Sequence, residues 1–244
     1  MHPIFFQIGP LTVYTYGFML AVAVFVCSFL LQKEFERNHL PGDIVFDLIF
    51  WIVLAGIAGC RIFFILLNWD YFVQNPAEIV MLQHGGLAWQ GGLIAGSIAG
   101  LVLIRKRKLP LLKTLDILAP YAALGQSIGR VGCLLNGCCY GQPVSWGLFF
   151  PVYQTRLHPT QLYESVGLLV IFLILKQAQE RPRFQGEIFI FYLWLASILR
   201  FSVEFFRADH ELIFGFLSIF QIMTVFFLGV AAYAYLQLES RRRA

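Results

Sequence analysis

The sequence predicts an all-α integral membrane protein of seven transmembrane helices, with the N-terminus outside and the C-terminus in the cytoplasm. Three observations carry that reading. First, 59% of the residues are apolar and only 13% are charged, a balance that excludes an ordinary soluble domain. Second, apolar runs near 12–32, 44–67, 86–104, 115–135, 160–176, 186–206 and 214–237 are each about long enough to cross a ~30 Å hydrocarbon core as a helix. Third, short loops rich in Lys and Arg stay in the cytoplasm. With the N-terminus outside, the cytoplasmic loops and tail collect Lys33, Arg37, Arg105, Lys106, Arg107, Lys108, Lys113, Lys176, Arg181, Arg183, Arg241, Arg242 and Arg243. The net charge of +4 is thus a topology signal, and no nucleic-acid partner is expected. The whole chain, 1–244, reads as a single transmembrane domain. The N-terminal MHPIFFQIGP has no basic stretch and no small-residue cleavage site, so the first run is not expected to be a removed signal peptide.

The first span opens on IGPLTVYTYG, where Tyr14 and Tyr16 lie at the depth of the outer interface, as an aromatic belt or as part of a site. The second contains AGIAGCRIFF, with small residues spaced for close helix packing, and Arg61 lies inside the span. Arg61 either snorkels to the outer interface or serves a site. Residues 68–85 carry no lysine or arginine and several aromatics, and read as an outer-surface arm lying on the bilayer. His84 closes the arm and is most simply a solvated loop histidine. Two Gly-Gly pairs, Gly85-Gly86 and Gly91-Gly92, then flank Trp89 and Gln90. Paired glycines weaken a helix, so a structural account of them requires close packing on both sides.

The fourth span runs into GQSIGRVGCLLNGCCYG, from Gly125 to Gly141, which holds five glycines and one arginine, Arg130. An outer-surface loop region follows over 136–159 and ends in HPTQLYE, where Pro159 suits the start of the fifth helix. Glu164 lies within that helix at a depth where an unpaired carboxylate is costly, so an outer-side arginine is expected as its partner. In the sixth span Arg200, Glu204 and Arg207 are spaced four and three apart and share one helix face. That stripe faces a polar cavity or forms an ion-pair staple.

Five arginines, Arg61, Arg130, Arg156, Arg200 and Arg207, are left unexplained by topology. The planar guanidinium fork binds phosphate bidentately and stays charged, so an all-arginine set beside a glycine-rich stretch points to an anionic lipid headgroup. No HExxH helix or phosphate-binding P-loop is present. Cys133, Cys138 and Cys139 offer a thiolate nucleophile or, with His158, a soft metal site. From the residues alone, a non-enzymatic binder or transporter of anionic lipid and a thiol-redox or metal-binding membrane protein therefore stand beside an enzyme.

The chain resembles the bacterial phosphatidylglycerol:prolipoprotein diacylglyceryl transferase family from IGPLTVYTYG to EFFRAD, nearly its whole length. The family pattern GxxxGRxGNFxNGExxG stands here as GQSIGRVGCLLNGCCYG. The G-x-R of Gly59 to Arg61, the double-glycine run from Gly85 to Gly92, HPTQLYE from His158 to Glu164 and RFSVEFFR from Arg200 to Arg207 follow in family order. The resemblance implies a multi-pass protein of the bacterial inner membrane. It implies transfer of the diacylglyceryl group of phosphatidylglycerol to the lipobox cysteine thiol of a preprolipoprotein signal peptide, releasing glycerol phosphate. The nucleophile then belongs to the substrate, and no cofactor or metal is expected. Arg130 and Arg207 would hold the phosphate, with Tyr16 and Gln90 beside them as catalytic positions. Arg61, Asn136, Gly141, His158, Glu164, Arg200, Glu204, Gly91 and Gly92 would bind substrate or membrane lipid. The chain departs from the pattern where Cys133 and Cys138 replace Asn and Glu. Gln90 stands where the family often has histidine and cannot be a general base. Either activation of the thiol falls to arginine and tyrosine, with His84 or His158 as substitutes, or the chain is a paralogue with a changed substrate.

Overall fold

The computed structural model describes residues 3–8, 11–81, 85–208, 212–213 and 217–243, which excludes His84. The chain gathers into two compact units, Met1–Leu31 with Leu115–Ala244 and, separately, Gln32–Thr114.

Among the described residues the protein is mostly helical. Short strands β1 (Ile4–Ile8) and β2 (Leu11–Tyr14) pair antiparallel ahead of α1 (Thr15–Arg37). The first helix therefore begins at Thr15 rather than near 12, because the β-branched and aromatic residues before it favour an extended pair. Next come α2 (Ile44–Leu67), the short α3 (Trp69–Gln74), a single 3₁₀ turn over Pro76–Ile79, α4 (Trp89–Lys106) and α5 (Leu111–Asn136). The 136–159 region is more ordered than a loop, since β3 (Pro143–Phe150) and β4 (Thr155–Leu157) form an antiparallel hairpin within it. Helices α6 (Thr160–Ala178) and α7 (Glu187–Glu204) follow, then the two-residue strands β5 (Leu212–Ile213) and β6 (Leu217–Ser218), and α8 (Ile219–Arg243).

Seven of these helices are 18 residues or longer and coincide with the seven apolar runs. Four of them, α1, α2, α6 and α8, are long and apolar enough to cross a membrane. The others are less apolar for a local reason: α4 carries four glycines, α5 carries Pro120 and Arg130, and α7 carries Glu187, Arg200 and Glu204. Large apolar side chains such as Phe50, Trp51 and Leu66 on α2 and Phe226 on α8 point outward, as the hydrocarbon of a bilayer allows.

In the 32–114 unit α2 packs on α4 through glycine. A Cβ on Gly91 would collide with the backbone oxygen of Gly59, and one on Gly59 with Ala95. Gly92 faces Cys60, and Gly96 lies against Ile52. The Gly-Gly pair of α4 is therefore a helix-crossing surface of the small-residue kind that membrane helices use.

In the other unit Ala119, Ala123, Leu168, Ile171, Leu175 and Ile188 form a core among α5, α6 and α7. Asp116 of α5 accepts bonds from the backbone N–H of Gly186 (2.6 Å) and Phe189 (2.9 Å), which caps the start of α7. Higher up, Ser127 and Ser165 exchange hydrogen bonds: each hydroxyl donates to the other residue's carbonyl, at 2.8 and 2.9 Å. Polar side chains bonded across membrane helices fix register. Here that register sets Arg130, one turn beyond Ser127, opposite Glu164.

Candidate functional site: three arginines on two carboxylates

Each charged group of the site comes from a different local cause. Arg130 leaves α5 one turn past the Ser127 lock. Glu164 lies one residue before Ser165 on α6, almost fully buried. Arg200 and Glu204 lie four apart on α7, and Arg207 follows that helix. Arg207 is positioned by its backbone: it bridges antiparallel to Gly141, and the Gln142 N–H donates to the Phe206 carbonyl at 2.8 Å. A side chain at Gly141 would strike that carbonyl, His158 and Thr160, so glycine is what lets the two segments meet.

Glu164 is the common partner. Arg130 forms an ion pair with its Oε2. Arg200 Nη1 donates to its Oε1 at 2.7 Å, and Arg207 Nη1 lies 3.9 Å from the same oxygen. Glu204 takes a second set of contacts: Arg200 Nη2 at 2.8 Å and Arg207 Nε at 3.8 Å. Ser218 Oγ donates to Glu204 Oε1 at 2.7 Å. Three guanidiniums thus face two carboxylates, leaving a local formal charge of about +1. The excess is directed outward, because the Arg130 side chain stays 27% exposed while Glu204 is 1% exposed. Such an arrangement has donors and charge available for an anion and holds them rigidly.

Around this cluster, Tyr16 at the start of α1 lies over Gly132, where a Cβ would come within 3.4 Å of its ring. Asn136 ends α5, two residues before Cys138. The Cys133, Cys138 and Cys139 sulfurs lie within 4.8 Å of one another. Cys139 stands outside the helices, and the neighbouring Cys133 and Cys138 thiols hold its own thiol below the ordinary range, with Arg130 and Arg207 adding attraction. His158 is not among these close ligands. Its Nδ1 lies 3.1 Å from the Tyr163 hydroxyl, and its ring packs among Trp146, Tyr163 and Phe206. Arg156 is exposed on the hairpin and donates to the Gly147 carbonyl at 3.0 Å.

The remaining candidates belong to the 32–114 unit. Gln90 is half-buried in the first turn of α4, and Gly91 and Gly92 are packing residues against α2. Arg61, 7% exposed, turns onto the arm. It donates to the carbonyls of Ile79 (3.1 Å), Gly85 (2.6 Å), Gly86 (3.0 Å), Met81 (3.4 Å) and Glu78. Ser127, Ser165, Thr160, Gln161 and Ser218 support the site without having been singled out by sequence. The two serines carried a faint signal as small polar residues inside apolar runs.

The sequence model of the prolipoprotein diacylglyceryl transferase family matches residues 3–237. A phosphatidylglycerol--prolipoprotein diacylglyceryl transferase of Trichormus variabilis is 33% identical over 98% of this chain and 91% of its own length. Proteins of the same name from Staphylococcus aureus and Finegoldia magna are each 34% identical, over 94% and 92% of this chain and 86% and 91% of theirs.

Proposed function

Because the chain belongs to the prolipoprotein diacylglyceryl transferase family, we propose that its arginine–carboxylate cluster is the phosphate-holding part of the transferase site. The chain transfers the diacylglyceryl group of phosphatidylglycerol to prolipoproteins. The acceptor is the thiol of the lipobox cysteine in the preprolipoprotein signal peptide. Its sulfur bonds to the glycerol carbon, the C–O bond breaks with its electron pair on the phosphate oxygen, and glycerol phosphate leaves.

The observation that carries this reading is the excess of guanidinium over carboxylate, with Arg130 keeping an open face. Negative charge grows on the phosphate as the C–O bond breaks, and Arg130 and Arg207 stabilise it there. Glu164 and Glu204 keep the three guanidiniums apart and aimed. Tyr16 and the same arginines favour the thiolate form of the acceptor, whose thiol has a reference pKa of about 8.5. His158, whose carbonyl accepts from the Gly141 N–H at 2.9 Å, lies outside the ion-pair cluster. The seven long helices cross the bacterial inner membrane with the N-terminus outside and the C-terminus in the cytoplasm. The site then faces the outer leaflet, and lipid and peptide enter laterally from the bilayer.

The test is transfer by the purified protein in phosphatidylglycerol vesicles supplied with a lipobox peptide. A diacylglyceryl thioether should appear by mass spectrometry, and Arg130→Ala should lower kcat/KM by about 10²–10³ while the protein stays folded. Lipid binding without any thioether product would instead identify an anionic-lipid binder.

A further inference from the structure

The transfer reaction uses none of the protein's own thiols, yet three of them are brought together by the backbone. Helix α5 ends in a Schellman turn. Gly137, with φ 81°, donates its N–H to the Leu134 carbonyl at 3.2 Å, and Cys138 N–H reaches the Cys133 carbonyl at 3.2 Å. In that turn the side chain after the glycine lies back over the residue five positions earlier. Those two residues are Cys138 and Cys133. Cys139 then takes a left-handed φ of 63°, uncommon for a residue with a Cβ, and its sulfur comes to 3.4 Å from that of Cys138. The turn is pinned from α6: Gln161 Nε2 donates to the Cys138 carbonyl at 2.5 Å and Thr160 Oγ1 to the Cys139 carbonyl at 2.8 Å. Both α6 side chains are fully buried.

We propose that Cys133, Cys138 and Cys139 form a three-thiolate site for one thiophilic cation, Zn(II) or Cu(I), built into the turn beside Arg130. Metal–sulfur bonds of about 2.3 Å place neighbouring ligand sulfurs roughly 3.8 Å apart, and sulfurs already within 4.8 Å of one another reach that spacing by small side-chain rotations. Thiolate ligands select these soft or borderline ions over Mg(II) and Ca(II). Each S–H that becomes a metal–sulfur bond releases its proton to solvent, and no sulfur changes oxidation state. Three thiolates exceed the charge of either ion, so the filled site is an anion, and the nearby Arg130 and Arg207 offset it. The site does not depend on the transfer reaction.

Full-length protein, reduced and stripped of metal in detergent, is titrated with Zn(II) against a chromophoric chelator and, without oxygen, with Cu(I) against a Cu(I) chelator. The expected result is one equivalent retained per chain through desalting, with a sulfur-to-metal charge-transfer band. Which ion is retained assigns the site. Affinity should fall more than tenfold in Cys133→Ser and in the triple serine variant, and stay unchanged in Cys60→Ser. Alkylating the thiols of folded wild-type protein should abolish binding and serves where the triple variant does not fold. Failure to retain either ion, retention by the alkylated protein, or a disulfide among the three cysteines in protein isolated without reductant would each overturn the proposal.

Discussion

Arg61 and Arg130 both lie inside long helices of a chain poor in charge, and the two are neutralised in different ways. Arg61 is enclosed by backbone oxygen: five carbonyls from the arm and the Gly-Gly pair take its five N–H donors, and the Phe72 ring lies 5.3 Å from its guanidinium carbon. Arg130 instead meets a carboxylate that it shares with Arg200 and Arg207, and part of its surface stays open. A guanidinium whose donors all end on carbonyls ties a segment in place. Guanidiniums that outnumber their carboxylates keep donors and charge for a third anion. An arginine at membrane depth is thus a functional candidate by cost alone, and its partners decide which kind it is.

The largest expected effect tests the carboxylate side of this contrast. Glu164→Ala removes the group common to three arginines and leaves Glu204 alone among them. Removing one partner from a buried ion cluster costs about 3–5 kcal/mol, so the thermal midpoint in detergent should fall sharply. Adding Arg200→Met to Glu164→Ala removes one of the stranded charges and should recover part of the loss. No recovery would mean that the cluster is held by packing rather than by charge.

A smaller effect is expected on the carbonyl side. Arg61→Met leaves several buried carbonyls without donors, and the arm should loosen with a loss of about 2 kcal/mol. Hydrogen exchange over 76–81 should speed up, while the KM for phosphatidylglycerol changes little at a temperature where the variant stays folded. A large rise in KM with the arm still protected would move Arg61 to the anion site and erase the distinction.

How much of this the sequence discloses follows from the same contrast. The Arg200, Glu204 and Arg207 stripe is legible because charge in an apolar run is rare and the spacing of four and three fixes a common face. Glu164 as the partner of an arginine is legible for the same reason of cost. What Arg61, Gly91 and Gly92 face is not legible. That depends on which helix crosses α4, and a pair of glycines reads alike whether it admits a ligand or another backbone. The β3–β4 hairpin is hidden because proline and glycine interrupt its alternation. The gathering of three thiols depends on left-handed turns at Gly137 and Cys139, and only the glycine announces itself. Ser218 comes to Glu204 through tertiary packing that no local pattern encodes.

The smallest effect concerns what aligns the cluster. Ser127 and Ser165 exchange two hydrogen bonds between α5 and α6, one turn below Arg130 and one residue beyond Glu164. Hydrogen bonds between membrane helices are worth about 0.6 kcal/mol each, and at most about 1.7. Ser127→Ala and Ser165→Ala should therefore each cost about 1 kcal/mol, and the double variant less than the sum, because each removes bonds the other shares. If the pair does set the register of Arg130 on Glu164, transfer should fall several-fold in each variant with the fold intact. Additive stability losses with unchanged transfer would show that packing of Ala119, Ala123, Leu168 and Ile171 alone fixes that register, and that the arginine site needs no polar lock beneath it.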